Sequence, residues 1–246
     1  MPSFYGFRQR WGSWLQRLWS GHPQGEPAGV RMADLVALVG TPSPTILEIG
    51  AHDGTHTLQF AKAFAEPTIH CFEPEPRALE RWHRALDQRS GVQIHAVAVG
   101  SQSGRAIFHR SSGRHPGPDG KPMAQGWDYS GSLKAPRRHL ELYPAVSFEH
   151  TMEVPVVSID EWIQDLDIGV VDLVWMDVQG AEADVFRGMV NTLPRVRLIY
   201  TEYSNEELYE GQPSLGELLT LLPDYEVVEQ FQQDVLLRRR PPQPRP

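Results

Sequence analysis

The stretch Ile46-Leu47-Glu48-Ile49-Gly50-Ala51-His52-Asp53-Gly54-Thr55 decides the fold. An apolar run interrupted by one acid leads into a turn bracketed by two glycines, and a helical pattern opens at Thr55. That is a buried strand passing into a helix. Gly50 permits close backbone approach and Gly54 a tight exit. In open α/β sheets, ligands bind at the C-terminal ends of the strands, where the strand order reverses. The spacing is Gly-x-x-x-Gly, not Gly-x-Gly-x-x-Gly. A dinucleotide pyrophosphate wants bare amides at a helix N-terminus, whereas here Glu48 precedes the first glycine and Asp53 lies in the turn. Acids at these places suit a ligand that carries an ammonium group and no phosphate.

The next strand, Thr68–Phe72, ends in Glu73-Pro74. An acid at the end of the second strand is placed to accept hydrogen bonds from ribose hydroxyls. Ribose and an amino acid without phosphate together describe S-adenosylmethionine.

Further elements alternate along the chain. Helices are expected over Val30–Val39, Thr55–Ala65, Pro76–Asp87 and Ala181–Leu193, the last with Val185, Phe186, Met189, Val190 and Leu193 at core spacing. Strands are expected over Val92–Val99, Val170–Met176 and Val196–Tyr203. Ser214 and Glu217 form a capping box that starts another helix with Leu215, Leu218, Leu219 and Leu222 inward. Tyr225–Glu229 and Asp234–Arg238 read as a closing hairpin. Strands alternating with helices of this length imply an α/β fold, a mostly parallel sheet with helices on both faces and an antiparallel C-terminal end. Between Arg110 and His150 the pattern breaks, punctuated by Gly113, Pro116, Gly117, Pro118, Gly120, Pro122, Gly126 and Gly131, which reads as a lid or substrate loop.

These motifs resemble those of the FkbM-type methyltransferases, a branch of the Rossmann-like, class I S-adenosylmethionine-dependent enzymes built on a seven-stranded sheet. The resemblance runs from Ile46 to Leu237. Beyond the turn and Cys71-Phe72-Glu73-Pro74 it rests on Ala96-Val97-Ala98-Val99-Gly100, Val154-Pro155-Val156-Val157-Ser158-Ile159-Asp160, Val171-Asp172-Leu173-Val174-Trp175-Met176-Asp177-Val178-Gln179-Gly180-Ala181-Glu182 and Leu198-Ile199-Tyr200-Thr201-Glu202. It implies O-methylation of a small molecule, glycan or lipid precursor. It also implies that Glu48, Gly50, Ala51 and Gly54 line the methionine moiety with the turn residues His52 and Asp53, that Glu73 holds the ribose, and that Val97 and Ala98 border the adenine. The chain departs from the family pattern at Trp175 and Gln179, where a lysine and a glutamate are common.

A neutral alcohol is a poor nucleophile and needs a general base or a metal. Asp177 and Glu202 close neighbouring strands and should face one crevice. Two variants follow: a carboxylate or a loop histidine such as His139 takes the hydroxyl proton, or Asp177 and Glu202 hold Mg²⁺ against the acceptor. Asp177 could equally orient the cofactor's ammonium group. A nicotinamide oxidoreductase on the same topology and a non-catalytic cofactor-binding or scaffold protein are the competing readings.

The remainder is bounded by composition. The 246 residues suffice for one α/β domain, and 40% hydrophobic with 22% charged residues excludes wholesale disorder. A net charge of −8 argues against bulk nucleic-acid binding. The single Cys71 excludes an intrachain disulfide and fits a reducing, cytoplasmic location. Residues 1–29 form an arm in which Trp11, Trp14, Leu15, Leu18 and Trp19 recur at helical spacing. It reads either as an interfacial helix touching a membrane surface or as a helix packed on the domain or on a second copy. Residues 30–238 form the domain, and 239–246 a Pro/Arg tail.

Overall fold

The computed structural model describes residues 29–86, 89–115 and 126–241. The tryptophans of the arm lie outside these residues. Seven strands form one sheet in the order β3-β2-β1-β7-β8-β10-β9. They are β1 Thr45–Ile49, β2 Thr68–Phe72, β3 Val92–His95, β7 Val171–Met176, β8 Val196–Glu202, β9 Tyr225–Gln230 and β10 Asp234–Arg239. All neighbours run parallel except β10, which is antiparallel to both β8 and β9. The order reverses between β1 and β7, so the crevice at their C-terminal ends is where a ligand belongs.

Alternation along each strand divides the core. Leu47, Ile49, Val174, Met176, Ile199 and Val235 face one side, where α5 (Ile159–Trp162), α6 (Glu182–Arg187) and α7 (Leu215–Leu221) supply Ile159, Phe186 and Leu218. Ile46, Ile69, Cys71, Leu173, Trp175 and Tyr200 face the other, covered by Leu35 and Val39 of α1 (Met32–Val39), Phe60 of α2 (Thr55–Ala63) and Trp82 and Leu86 of α3 (Pro76–Leu86). The expected capping box is present: the Ser214 hydroxyl accepts from the Glu217 amide, and the Glu217 carboxylate accepts from Ser214.

Three expectations are corrected. Val92–Val99 is not one strand. The Val97 amide donates to the His95 carbonyl at 2.8 Å, the chain turns, and Ala98–Val99 (β4) joins a second sheet of order β4-β6-β5. In that sheet β5 (Gly104–Gly113) pairs antiparallel with β6 (Val146–Val157). Ordered strands therefore enter and leave the segment that reads as a loop, and α4 (His139–Leu142) lies within it. The helix expected over Ala181–Leu193 stops at Arg187. Gly188 follows, packed so tightly on Gly100 that a Cβ would sit 2.0 Å from the Gly100 carbonyl oxygen, and Val190 is exposed instead of buried.

Candidate active site

The turn after β1 takes its shape from close backbone contacts. Gly50 has φ 87°, and a Cβ there would lie 1.9 Å from the Asp177 carbonyl oxygen. The Gly50 and Ala51 amides both donate to the Phe72 carbonyl at 2.9 and 3.1 Å, and the Asp177 amide donates to the Ile49 carbonyl at 3.0 Å. The ends of β2, β1 and β7 are thereby pinned side by side. Glu73 is buried at the end of β2, its two oxygens accepting from the amides of His52 (2.9 Å) and Glu75 (2.8 Å). Burial raises its pKa. Next to it, Arg77 and Arg110 overcome the upward push of burial and hold Glu75 down to about 2.

The segment Gly126–Leu133 lies across this turn. Asp128 is buried and accepts from Arg81 at 2.8 Å and lies 3.2 Å from His52 Nε2. Those two groups hold its carboxyl below the usual range although burial opposes them. Tyr129 packs on the His52 ring (centroids 3.9 Å apart) and donates to Asp53. Asp53 also accepts from the Thr55 amide and hydroxyl. The Ser132 hydroxyl donates to the Gln179 carbonyl at 2.7 Å.

Gln179 organises the far end. It has φ 53°, a left-handed conformation unusual for a residue other than glycine. Its side-chain nitrogen donates to Asp177 Oδ1 at 2.6 Å and to Glu202 Oε2 at 3.0 Å. Its side-chain oxygen accepts from the Tyr209 hydroxyl at 3.1 Å. Burial, Asp177, Asp234 and Glu182 push Glu202 well above the carboxylate range, and a hydrogen bond with Asp177 adds to this. Asp234 faces Glu202 across the β8–β10 pairing, and burial and Asp177 push it up to about 8. Glu182, raised to about 7 by burial, accepts from the Gly180 amide and shapes the turn after β7. His139, on α4, is 4% exposed among Tyr143, Phe148 and Tyr209. Its Nδ1 makes no hydrogen bond, and burial lowers its pKa to about 4.

These groups enclose a cavity of about 340 Å³. Of the residues singled out in the sequence, Gly50, Ala51, His52, Asp53, Glu73, His139, Asp177 and Glu202 line it. A smaller cavity of about 50 Å³ shares Gly50, Glu73, Phe108 and Asp177 with it and is bordered by Ala98. The other expected residues lie elsewhere. Glu48 lines neither cavity: it lies under α2 at the level of Trp175, where it accepts from Thr57 at 2.5 Å and contacts the Cys71 thiol at 3.4 Å. Burial raises it to about 8. Val97 packs into the core. Gly54 lines neither cavity and lets α3 approach: a Cβ there would meet Leu86 at 2.4 Å and Trp82 at 2.8 Å. Sequence reasoning missed Tyr209 and Asp234 as site residues. The Asp234 signal was available, because a hairpin beside β8 sets its first residue opposite Glu202.

The lining suits a cation. Among the described residues, seven carboxyl groups border the main cavity (Asp53, Glu73, Glu75, Asp128, Asp177, Glu202 and Asp234), and no lysine or arginine does. A phosphate-bearing dinucleotide would find no counter-charge there. A ribose with a sulfonium and an ammonium group fits such a lining, to which Glu73 contributes at the end of β2 and Asp177 at the end of β7. Mg²⁺ between Asp177 and Glu202 does not fit, because the Gln179 amide donates into the space between them. Among the described residues, no group of three His, Cys, Asp or Glu is arranged to hold a metal.

Comparison with known proteins agrees with this geometry. The FkbM methyltransferase domain matches residues 48–228. The chain is 41% identical over 208 residues to the 2-O-methyltransferase NoeI of Sinorhizobium fredii, covering 83% of each protein. It is 26% identical over 156 residues to the hexuronic acid methyltransferase AglP of Haloferax volcanii, covering 63% of this chain and 54% of that one. It is 24% identical over 147 residues to Methyltransferase 1 of Beauveria bassiana, covering 58% and 57%. The chain belongs to the FkbM family of S-adenosylmethionine-dependent methyltransferases.

Proposed function

We propose that this protein methylates a hydroxyl group of a small-molecule or glycan acceptor, with Asp177 as the general base. The observation that carries the reading is the Asp177–Gln179–Glu202 cluster, which opens into the same cavity as Glu73 and the Gly50 turn. Bound S-adenosylmethionine supplies an activated methyl group, which passes from sulfur to the acceptor oxygen and leaves S-adenosylhomocysteine.

Burial and the neighbouring acids keep the proton on Glu202, which is therefore no base, because neighbouring carboxylates resist ionising together. Gln179 holds Asp177 Oδ1, which leaves Oδ2 to receive the acceptor proton as the new O–C bond forms. His139 is too weakly basic for that task. Its unpartnered Nδ1 serves better as an acceptor for a second hydroxyl of the substrate. The segment Gly126–Leu133 excludes water, and positioning of this kind is worth up to about 7–11 kcal/mol.

Residues 30–238 make up the catalytic domain, with 110–150 forming the substrate loop. Among the described residues no helix is long and apolar enough to cross a membrane. The buried thiol of Cys71 suits a cytoplasmic protein. Peripheral membrane contact or dimerisation through the arm rests on its tryptophan spacing alone.

Two measurements test the reading. Calorimetry with S-adenosylhomocysteine should show binding, and a folded protein that ignores millimolar ligand would sink the proposal. Asp177→Asn should bind that ligand within about threefold of wild type while methyl transfer falls by roughly 10²–10⁴. Transfer that survives at more than a tenth of wild type would remove Asp177 as the base.

A further inference from the structure

The acceptor is expected to lie beside the cluster at Asp177, because the methyl group must meet its hydroxyl there. This inference therefore rests on the function proposed above. The wall around that point has two parts. One is a chamber of rings and aliphatic groups: His139, Tyr143, Tyr209, Val146 and Leu208. The other is the acidic floor of Asp177, Glu202 and Asp234.

Among the described residues, no lysine or arginine lines either part. Arg77 and Arg110 are paired with Glu75, Arg81 with Asp128, and Lys134 with Asp184, and none of the four lines the cavity. An anionic substituent entering the chamber would lose water and gain no counter-charge, which is costly. The protein's own side chains report the same hostility. Glu202 and Asp234 retain protons there because neighbouring acids and burial disfavour a second negative charge.

The chamber does offer contacts for an uncharged ring. Aromatic faces pack against apolar C–H surfaces, and ligand pockets use a few placed polar groups to fix orientation. The buried, unpartnered His139 Nδ1 and the unpartnered Gln59 Oε1 both border the cavity. Each can accept a hydrogen bond from a hydroxyl, and neither can compensate a carboxylate or a phosphate.

We propose that the acceptor subsite selects an uncharged sugar-like ring and rejects the same ring carrying a carboxylate or phosphate. This would separate the chain from a relative named for hexuronic acids. Selection arises from Asp177, Glu202 and Asp234 on one side and, on the other, from a wall whose described residues include no lysine or arginine.

The experiment uses the full-length protein and isotopically labelled S-adenosylmethionine. The acceptors are matched sets of methyl hexoside, methyl hexuronide and methyl hexoside 6-phosphate in the gluco, galacto and manno configurations. In at least one set the neutral member should be methylated with kcat/KM about 100-fold or more above its two anionic partners. A uronide or phosphate used as well as the neutral ring overturns the proposal. So does the absence of transfer to every neutral ring at tens of millimolar. S-adenosylhomocysteine calorimetry on the same preparation separates the failures: binding without selection defeats only the inference, and no binding defeats the functional reading beneath it.

Discussion

Replacing Glu73 by glutamine tests the cofactor half of the site. Both Glu73 oxygens accept backbone amides, His52 at 2.9 Å and Glu75 at 2.8 Å, and the side chain is 5% exposed. Glutamine keeps one acceptor and turns an NH₂ group toward the other amide, so one buried N–H loses its partner. That costs about 1–3 kcal/mol of stability, or a Tm drop of roughly 2–12 °C in a chain of this size. Affinity should fall separately. A hydroxyl bonded to an ionised carboxylate contributes about 1.5–3 kcal/mol, so the Kd for S-adenosylhomocysteine should weaken by roughly 10–100-fold. Scanning calorimetry reads the first quantity and titration calorimetry below the lowered Tm reads the second. A variant with the expected Tm loss and a Kd within threefold of wild type would refute the ribose assignment. Glu73 would then only brace the turn.

Two further outcomes follow from neighbouring residues. Glu48 is raised from 4.5 to about 8 by burial, so its contribution to stability is complete below about pH 4.5 and is lost as pH rises through 8. Thermal melts of Glu48→Gln should therefore show a shallower fall in Tm between pH 6 and 8.5 than wild type, and an unchanged slope would mean that Glu48 is ionised in the fold. Gly50→Ala combines a φ of 87° with a Cβ placed 1.9 Å from the Asp177 carbonyl oxygen. The left-handed backbone alone costs about 1–2 kcal/mol, so Tm should drop and S-adenosylhomocysteine affinity should fall at least tenfold; a variant that binds like wild type would show that the β1–β7 approach is not required.

The legible parts of this chain are those whose patterns are local. The strand–turn–helix at Ile46–Thr55 and the capping box at Ser214 are short-range chemistry, and both stand where the residues place them. Acids at strand ends were equally readable for Asp53, Glu73, Asp177 and Glu202, because a parallel sheet sends all C-terminal ends to one side. Glu48 stands one residue short of the end of β1, level with Trp175. The helix that follows the turn folds over it, so its carboxyl meets Thr57 and not the cavity; that covering is tertiary and has no local signal. Val92–Val99 keeps a strand-like composition through the turn at Val97, so composition could not reveal a change of sheet. The β5–β6 hairpin escaped notice because its inner ends fall in the stretch from Arg110 to His150 that reads as loop; Arg110 and Ser112 are ordered by His150 and Ser147, distant in sequence. Tyr209 reaches Gln179 from a connection after β8, a contact that only the assembled sheet creates.

Trp175 stands where the family commonly has lysine, and its ring lies nearly parallel to Tyr200, with centroids 4.0 Å apart and an interplanar angle of 10°. Both rings border the cavity, and His56 flanks the indole at 4.9 Å. The indole is 3% exposed, so bulk solvent has little access to it. The exchange of a charged side chain for an indole thus gives the enzyme an intrinsic chromophore at its reaction chamber. Its emission reports on what fills that chamber, and occupancy can be followed by light without labelling either ligand.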